Sequence, residues 1–460
     1  MILSFLLLIS LLVCSWVALR FKNKNAAESK LAYLEGARGI AAFIVVIYHI
    51  LERFLPAMVT GREALSHNQW EQIIATSPLY ALYSGTACVA FFFVLSGFVL
   101  SYGYFTTRSK EKIVSSASKR YLRLAIPVLF TNLLYFQLMG MQVINPSINT
   151  QMSELTFSSV FLNEYTMQLS FLGMLQETIF STFFTFKAST FNSALWTMAF
   201  EFYGSAIVFS LLWLIGHCTF KFRAIGYFIA IMIILLFFKQ INFLGFLTGL
   251  ILCDLYVSGF LQKLNLTSWK VLLLVFGFYL ISFNDNLGPK AIGSTWYSWI
   301  LNTQSTAHTT DTQIRLAIII GATCLLALLL LSKGLQRFLS SQVCLFLGKI
   351  SFSLYLSHYL VLYTFSCWIL LYLSKGLNYL DAVLISVILS FFVMIAVAYL
   401  CYFWIDRFAV TLSSTFYRLI KTTFLINSQA PGSSNSINKK ATIQYDLALS
   451  FKKALQLLVD

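Results

Sequence analysis

Apolar runs close to 20 residues long recur along this chain, at about 2–19, 36–55, 79–104, 124–145, 192–216, 224–238, 243–257, 269–284, 314–332, 350–373 and 381–405. About 20 helical residues cross a hydrocarbon core roughly 30 Å thick. Backbone N–H and C=O groups find no water there, so each run must bond internally as a helix or close into a barrel. The runs are continuous rather than alternating with period two, which selects helices. Only 11% of residues are charged and 58% are hydrophobic, whereas soluble domains carry about 25% charged residues. The predicted fold class is therefore all-α, a polytopic transmembrane helical bundle of about ten spans plus one extra N-terminal span. The run at 2–19 is read as an uncleaved span, because no basic residue precedes it and Arg20 and Lys22 follow it.

A net charge of +15 invites nucleic acid as a partner, but the placement of the basic residues excludes it. If the spans alternate sides, one set of flanks holds Arg53, Arg62, Lys187, Lys239, Lys290, Arg315 and Lys375, and the other set holds the remaining 25 of 32 Lys and Arg. The basic set is expected on the cytoplasmic side, in contact with anionic lipid headgroups. This puts Arg38, Lys119 and the C-terminus inside, and the long loops 146–191 and 285–313 outside. The expected domains are an N-terminal span and basic linker (1–30), a transmembrane domain (31–405) and a cytoplasmic tail (406–460), with a Ser/Asn/Gly-rich linker at 428–438 and a short amphipathic helix at 441–459. The eight cysteines are scattered without metal-ligand spacing, so neither a disulfide framework nor a metal site is expected.

The tail is too short for a catalytic domain, so any chemistry belongs among the spans, where an ionisable group is costly and therefore a functional candidate. Five stand out: Arg38, His49, Glu201, Asp254 and His358. Arg38 and His49 share one span at a separation of 11 residues, which is three helical turns plus about 20°, with a rise of about 16 Å. One helix face thus carries a phosphate-binding guanidinium and, deeper, an imidazole suited to base catalysis. Arg120 and Arg123, at i and i+3, can grip a phosphate jointly. For the arginines the competing reading is a topogenic charge, for His49 and His358 a polar contact between helices, and for Trp196 an interface anchor. Glu201 needs a cation, a histidine or a proton to be tolerated in its span.

Five strings carry a family resemblance: Leu34-Glu35-Gly36-Ala37-Arg38-Gly39 with His49; Phe91-Phe92-Phe93-Val94-Leu95-Ser96-Gly97-Phe98; Arg120-Tyr121-Leu122-Arg123-Leu124 with Pro127; Leu195-Trp196-Thr197-Met198-Ala199-Phe200-Glu201; and Leu347-Gly348-Lys349-Ile350-Ser351 through His358. In this order they resemble the acyltransferase 3 family over about residues 31–405. Glu35 stands where Asp is commoner and Thr197 where Ser is commoner. The resemblance implies a membrane O-acyltransferase that takes acyl, typically acetyl, from acyl-CoA (acetyl-CoA) and delivers it to a hydroxyl of an envelope carbohydrate or glycolipid. No fused soluble domain and no metal are expected, and the location is the plasma (inner) membrane. The expected roles are His49 as general base with Glu201 as its acid partner, Arg38, Arg120 and Arg123 on the CoA phosphates, and Ser96, Trp196 and His358 as substrate contacts. A transporter with an Arg/His/Glu relay is the alternative, although neither inverted repeats nor matching broken helices are evident.

The charge asymmetry makes the topology testable. Cysteines introduced into 146–191 and 285–313 are expected to react with an impermeant reagent added outside; labelling only from the inside would reverse the assignment.

Overall fold

The computed structural model describes residues 31–144, 146–158, 170–186, 191–238, 240–263, 266–287, 292–293, 295–299 and 307–427. The expected span at 2–19, the linker at 428–438 and the helix at 441–459 lie outside these residues. Eleven helices matter for the site: α1 (Ala32–Phe54), α2 (Gly85–Thr107), α3 (Lys110–Gly140), α4 (Trp196–Ile215), α5 (Phe220–Ile233), α6 (Phe243–Val257), α7 (Thr267–Ile281), α8 (Ala307–Leu331), α9 (Gln342–Val361), α10 (Tyr379–Cys401) and α11 (Arg407–Asn427). Among the described residues there is no strand.

Among the described residues, seven helical segments are long and apolar enough to cross a membrane: Ala32–Phe54, Gly85–Thr107, Lys110–Gly140, Ser193–Ile215, Asp311–Leu331, Gln342–Leu373 and Tyr379–Thr422. The helices α6 and α7 are shorter but equally apolar. The protein is an integral membrane protein, and the exposed Leu214, Phe222, Phe228 and Val275 suit lipid rather than water.

The two helix boundaries that depart furthest from the sequence expectation do so for one reason. The basic stretch ending at Arg123, expected to be a loop opening a span at 124, is helical from Lys110. The last span, expected to end at 405, passes through a π-turn at Tyr402–Asp406 and continues as α11 to Asn427. Hydropathy marks where lipid ends, and a helix need not end there. Outside the apolar zone α3 and α11 support each other: Lys421 pairs with Glu111, and Lys119 lies 5.4 Å from the Tyr417 ring centroid.

The packing is built on close helix crossings of the kind small residues permit in membranes, where lipid is as apolar as a helix face and backbone proximity drives association. Helices α1 and α9 run parallel, since Arg38 meets Ser351 at a separation of 313 and His49 meets Tyr359 at 310. A Cβ on Gly39 would lie 2.3 Å from the Gly348 nitrogen, and one on Gly348 would lie 2.3 Å from the Glu35 oxygen. Helices α2 and α6 cross antiparallel: a Cβ on Gly97 would come within 2.0 Å of the Phe246 oxygen, and one on Gly249 within 1.9 Å of the Val94 oxygen. The first crossing aligns α1 with α9, and the second sets the height of Ser96.

Because the atoms that a Gly39 methyl would strike are backbone atoms of α9, Gly39→Ala is expected to cost about 1–3 kcal/mol, the usual range for overpacking. Gly103, also helical but with nothing within 4 Å of its Cβ position, serves as control: Gly103→Ala should be neutral or stabilising. The thermal midpoint of the purified protein in detergent checks both.

Candidate active site

The parallel α1/α9 pair presents two polar stations on its shared seam. At the first, Arg38 donates from Nε to the Ser351 hydroxyl at 3.0 Å and from Nη2 to the Gly348 carbonyl at 3.1 Å, while the Ser351 hydroxyl donates to the same carbonyl at 2.7 Å. Docking against α9 satisfies a guanidinium that lipid would otherwise leave uncompensated.

Three turns further along α1, His49 forms the second station. Its Nδ1 lies 3.1 Å from the Glu52 carboxylate and 2.7 Å from the Tyr359 hydroxyl. Its ring stacks on His358, with centroids 5.2 Å apart and planes inclined by 23°. His358 is fully buried, and its Nδ1 sits 2.8 Å from the Tyr355 carbonyl. Arg53 closes the group. Its Nε is 3.8 Å from Glu52, and its guanidinium lies 5.6 Å and 5.3 Å from the Tyr359 and Tyr363 ring centroids.

A cavity of about 440 Å³ adjoins the first station and is lined by Arg38, Ser96, Arg120, Arg123, Glu201 and Asp406, among others. Glu201 forms an ion pair with Arg120 and accepts from the Ser96 hydroxyl at 3.0 Å. The four expected groups Arg38, Arg120, Arg123 and Glu201 are thus brought together from α1, α3 and α4. At the apolar side of the cavity Phe92 and Tyr355 stand edge to face, with centroids 6.4 Å apart. The Tyr355 hydroxyl is anchored to the Ala194 carbonyl at 2.7 Å and to Thr197 at 2.8 Å. Its ring lies 6.1 Å from that of His358, inclined by 49°, so one tilted and one stacked ring contact lead from the cavity wall to His49.

A family model for an acyltransferase domain, acyltransferase 3, matches residues 31–403. The chain belongs to the acyltransferase 3 family. No curated protein and no solved structure matches significantly. The family match makes the protein a membrane acyltransferase and leaves the transporter reading without support.

In this acyltransferase the expected contact between Glu201 and His49 is not formed. Glu201 is committed to Arg120 and Ser96, and the carboxylate beside His49 is Glu52. Ser96 serves Glu201 in the cavity. Trp196 is not among the cavity-lining residues; its ring packs edge-on to Phe200, with centroids 5.7 Å apart. Asp254 belongs to a separate buried pair: Arg223 donates to it at 2.7 and 2.8 Å, with the Tyr227 hydroxyl at 3.0 Å. Among the described residues no group of three or more His, Cys, Asp or Glu is arranged to hold a metal ion.

Four polar residues of the two stations and the adjoining cavity are not among the expected site residues. Glu52 lies near the end of its span, yet it follows His49 at i+3 on the same face. Tyr359 adjoins His358 in a recognised string, and Ser351 lies within that string. Asp406 fell one residue beyond the expected boundary. Outside the spans, Asp285 accepts from Thr86 at 2.9 Å. Burial pushes its carboxyl above the ordinary carboxylate range, and Arg315 opposes that rise.

The Arg223–Asp254 pair makes a prediction about stability. Removing one partner of a buried pair leaves the other charge uncompensated, so Asp254→Ala is expected to cost about 3–5 kcal/mol. Thermal unfolding in detergent should show this loss, and acyl-donor affinity of the folded fraction should be unchanged.

Proposed function

We propose that this acyltransferase moves an acetyl group from acetyl-CoA to a hydroxyl of an envelope carbohydrate or glycolipid at the plasma membrane, with its C-terminus in the cytoplasm. The observation that carries this reading is the division of labour along α1: Arg38 lines a cavity with Arg120 and Arg123, and His49 stands three turns away beside Glu52 and Tyr359. CoA has the same polarity, with phosphates at one end and a thioester at the other. The phosphates cannot enter lipid cheaply and are met by guanidinium forks, which suit them better than lysine does. The pantetheine arm then follows the α1/α9 seam past Phe92 and Tyr355, bringing the thioester to His49.

At that point an acceptor hydroxyl oxygen attacks the thioester carbonyl as His49 takes its proton. The C–S bond breaks, the sulfur leaves as thiolate, and the proton on His49 returns to it, leaving CoA and the ester. Glu201 acts in the donor cavity by holding Arg120 in place. His358 supports the His49 ring from its stacked face.

The test combines turnover with binding on the purified full-length chain. General-base assistance contributes about 10²–10⁴-fold, so His49→Ala should lose at least about 10²-fold in acetyl transfer while still binding acetyl-CoA. Arg38→Lys and Arg123→Lys keep the charge but lose the fork, and a lost charge-assisted contact of about 1.5–3 kcal/mol should raise the acetyl-CoA dissociation constant about 10–150-fold. Full activity of His49→Ala would remove the base assignment, and unchanged affinity in both arginine variants would remove the donor site.

A further inference from the structure

We infer that Glu52 is a positioning residue for the transfer step: it fixes the tautomer of His49 and balances the imidazolium that forms when His49 takes the acceptor's proton. The inference rests on His49 being the base. It starts from a point of geometry, that both close neighbours of His49 approach the same ring nitrogen. Glu52 lies 3.1 Å from Nδ1 and the Tyr359 hydroxyl 2.7 Å from it. An ionised carboxylate only accepts, so this contact requires the proton on Nδ1, with the Tyr359 oxygen sharing that N–H. The lone pair is then on Nε2, which becomes the nitrogen available to an acceptor hydroxyl. Without Glu52 nothing in the contact with Tyr359 selects that tautomer, because a hydroxyl both donates and accepts.

The second role is electrostatic. When Nε2 takes the hydroxyl proton, the ring becomes cationic in a partly buried site, where the Glu52 and His49 side chains are 26% and 18% exposed. A carboxylate at hydrogen-bond distance compensates that charge far better than in water. The other groups around His49 do not supply it. His358 directs its Nδ1 to the Tyr355 and Leu354 carbonyls at 2.8 and 3.2 Å, and Arg53 carries a positive charge. Arg53, at 3.8 Å from Glu52, favours the ionised carboxylate. The arrangement matches the logic of an acid–histidine pair in which the acid orients the ring and does not itself take the proton.

The experiment uses the full-length chain in lipid nanodiscs, with acetyl-CoA as donor and a crude envelope carbohydrate fraction of the producing cells as acceptor. Thiol release reports kcat, and equilibrium binding reports acetyl-CoA affinity. Glu52→Gln keeps the shape and loses the charge. It is expected to lower kcat by about 10–10²-fold, a part of the whole general-base contribution, with acetyl-CoA affinity unchanged within about twofold. Glu52→Asp should recover most of the loss, which a purely structural role would not produce. Because Glu52 acts through His49, the double variant His49→Ala/Glu52→Gln should be no slower than His49→Ala alone. Wild-type kcat in Glu52→Gln beside an inactive His49→Ala would overturn this inference and leave the base standing. Near-wild-type turnover in His49→Ala would overturn both.

Discussion

The site depends on how closely α1 and α9 approach. Where Gly39 meets Gly348, each backbone stands in the space the other's side chain would fill. In a membrane this proximity is itself the source of stability, since no hydrophobic gain distinguishes a helix neighbour from a lipid tail. It also sets register. With the helices parallel and locked at the glycines, Arg38 reaches the Gly348 carbonyl and Ser351, and His49 reaches Tyr359. A slip of one turn would part the guanidinium from Ser351 and Gly348 and the imidazole from Tyr359, leaving His49 only its own-helix contact with Glu52.

Much of this is legible in the chain itself. Long apolar runs declare membrane helices because the solvent permits little else, and the spacing of Arg38 and His49 puts them on one face by helix geometry alone. What could not be read is partnership across helices. Glu201 announced itself as a costly buried carboxylate, but which cation compensates it depends on how α3 and α4 dock, and the answer is Arg120 rather than His49. Glu52 was overlooked for the opposite reason: a charge at the end of an apolar run is normally a flank, and only the neighbouring α9 turns it into part of a buried group. The helix ends were misplaced because a polarity change marks the lipid boundary, whereas α3 and α10–α11 stay helical beyond it.

The two stations divide the charges cleanly. Arg38, Arg120 and Arg123 gather around the cavity together with Glu35, Glu201 and Asp406, where a polyanionic donor would be held. The His49 station is nearly neutral apart from Glu52 and Arg53. Between them stand the rings of Phe92, Tyr355 and His358, which give the seam a surface without fixed charge. Under the proposed function, such a surface would suit the uncharged arm of the donor and oppose its phosphates.

The unbroken helix Tyr379–Thr422, 44 residues long, spans about 66 Å at 1.5 Å per residue, roughly twice the thickness of a hydrocarbon core. Asp406, which lines the cavity, lies partway along it. The rim of the cavity is therefore part of a rod rather than a loop, and the rod is braced along α3. Bilayers differ in thickness by several ångströms. A loop-built wall would be stretched or slackened by such differences, whereas a wall carried on a continuous helix is set by helix packing.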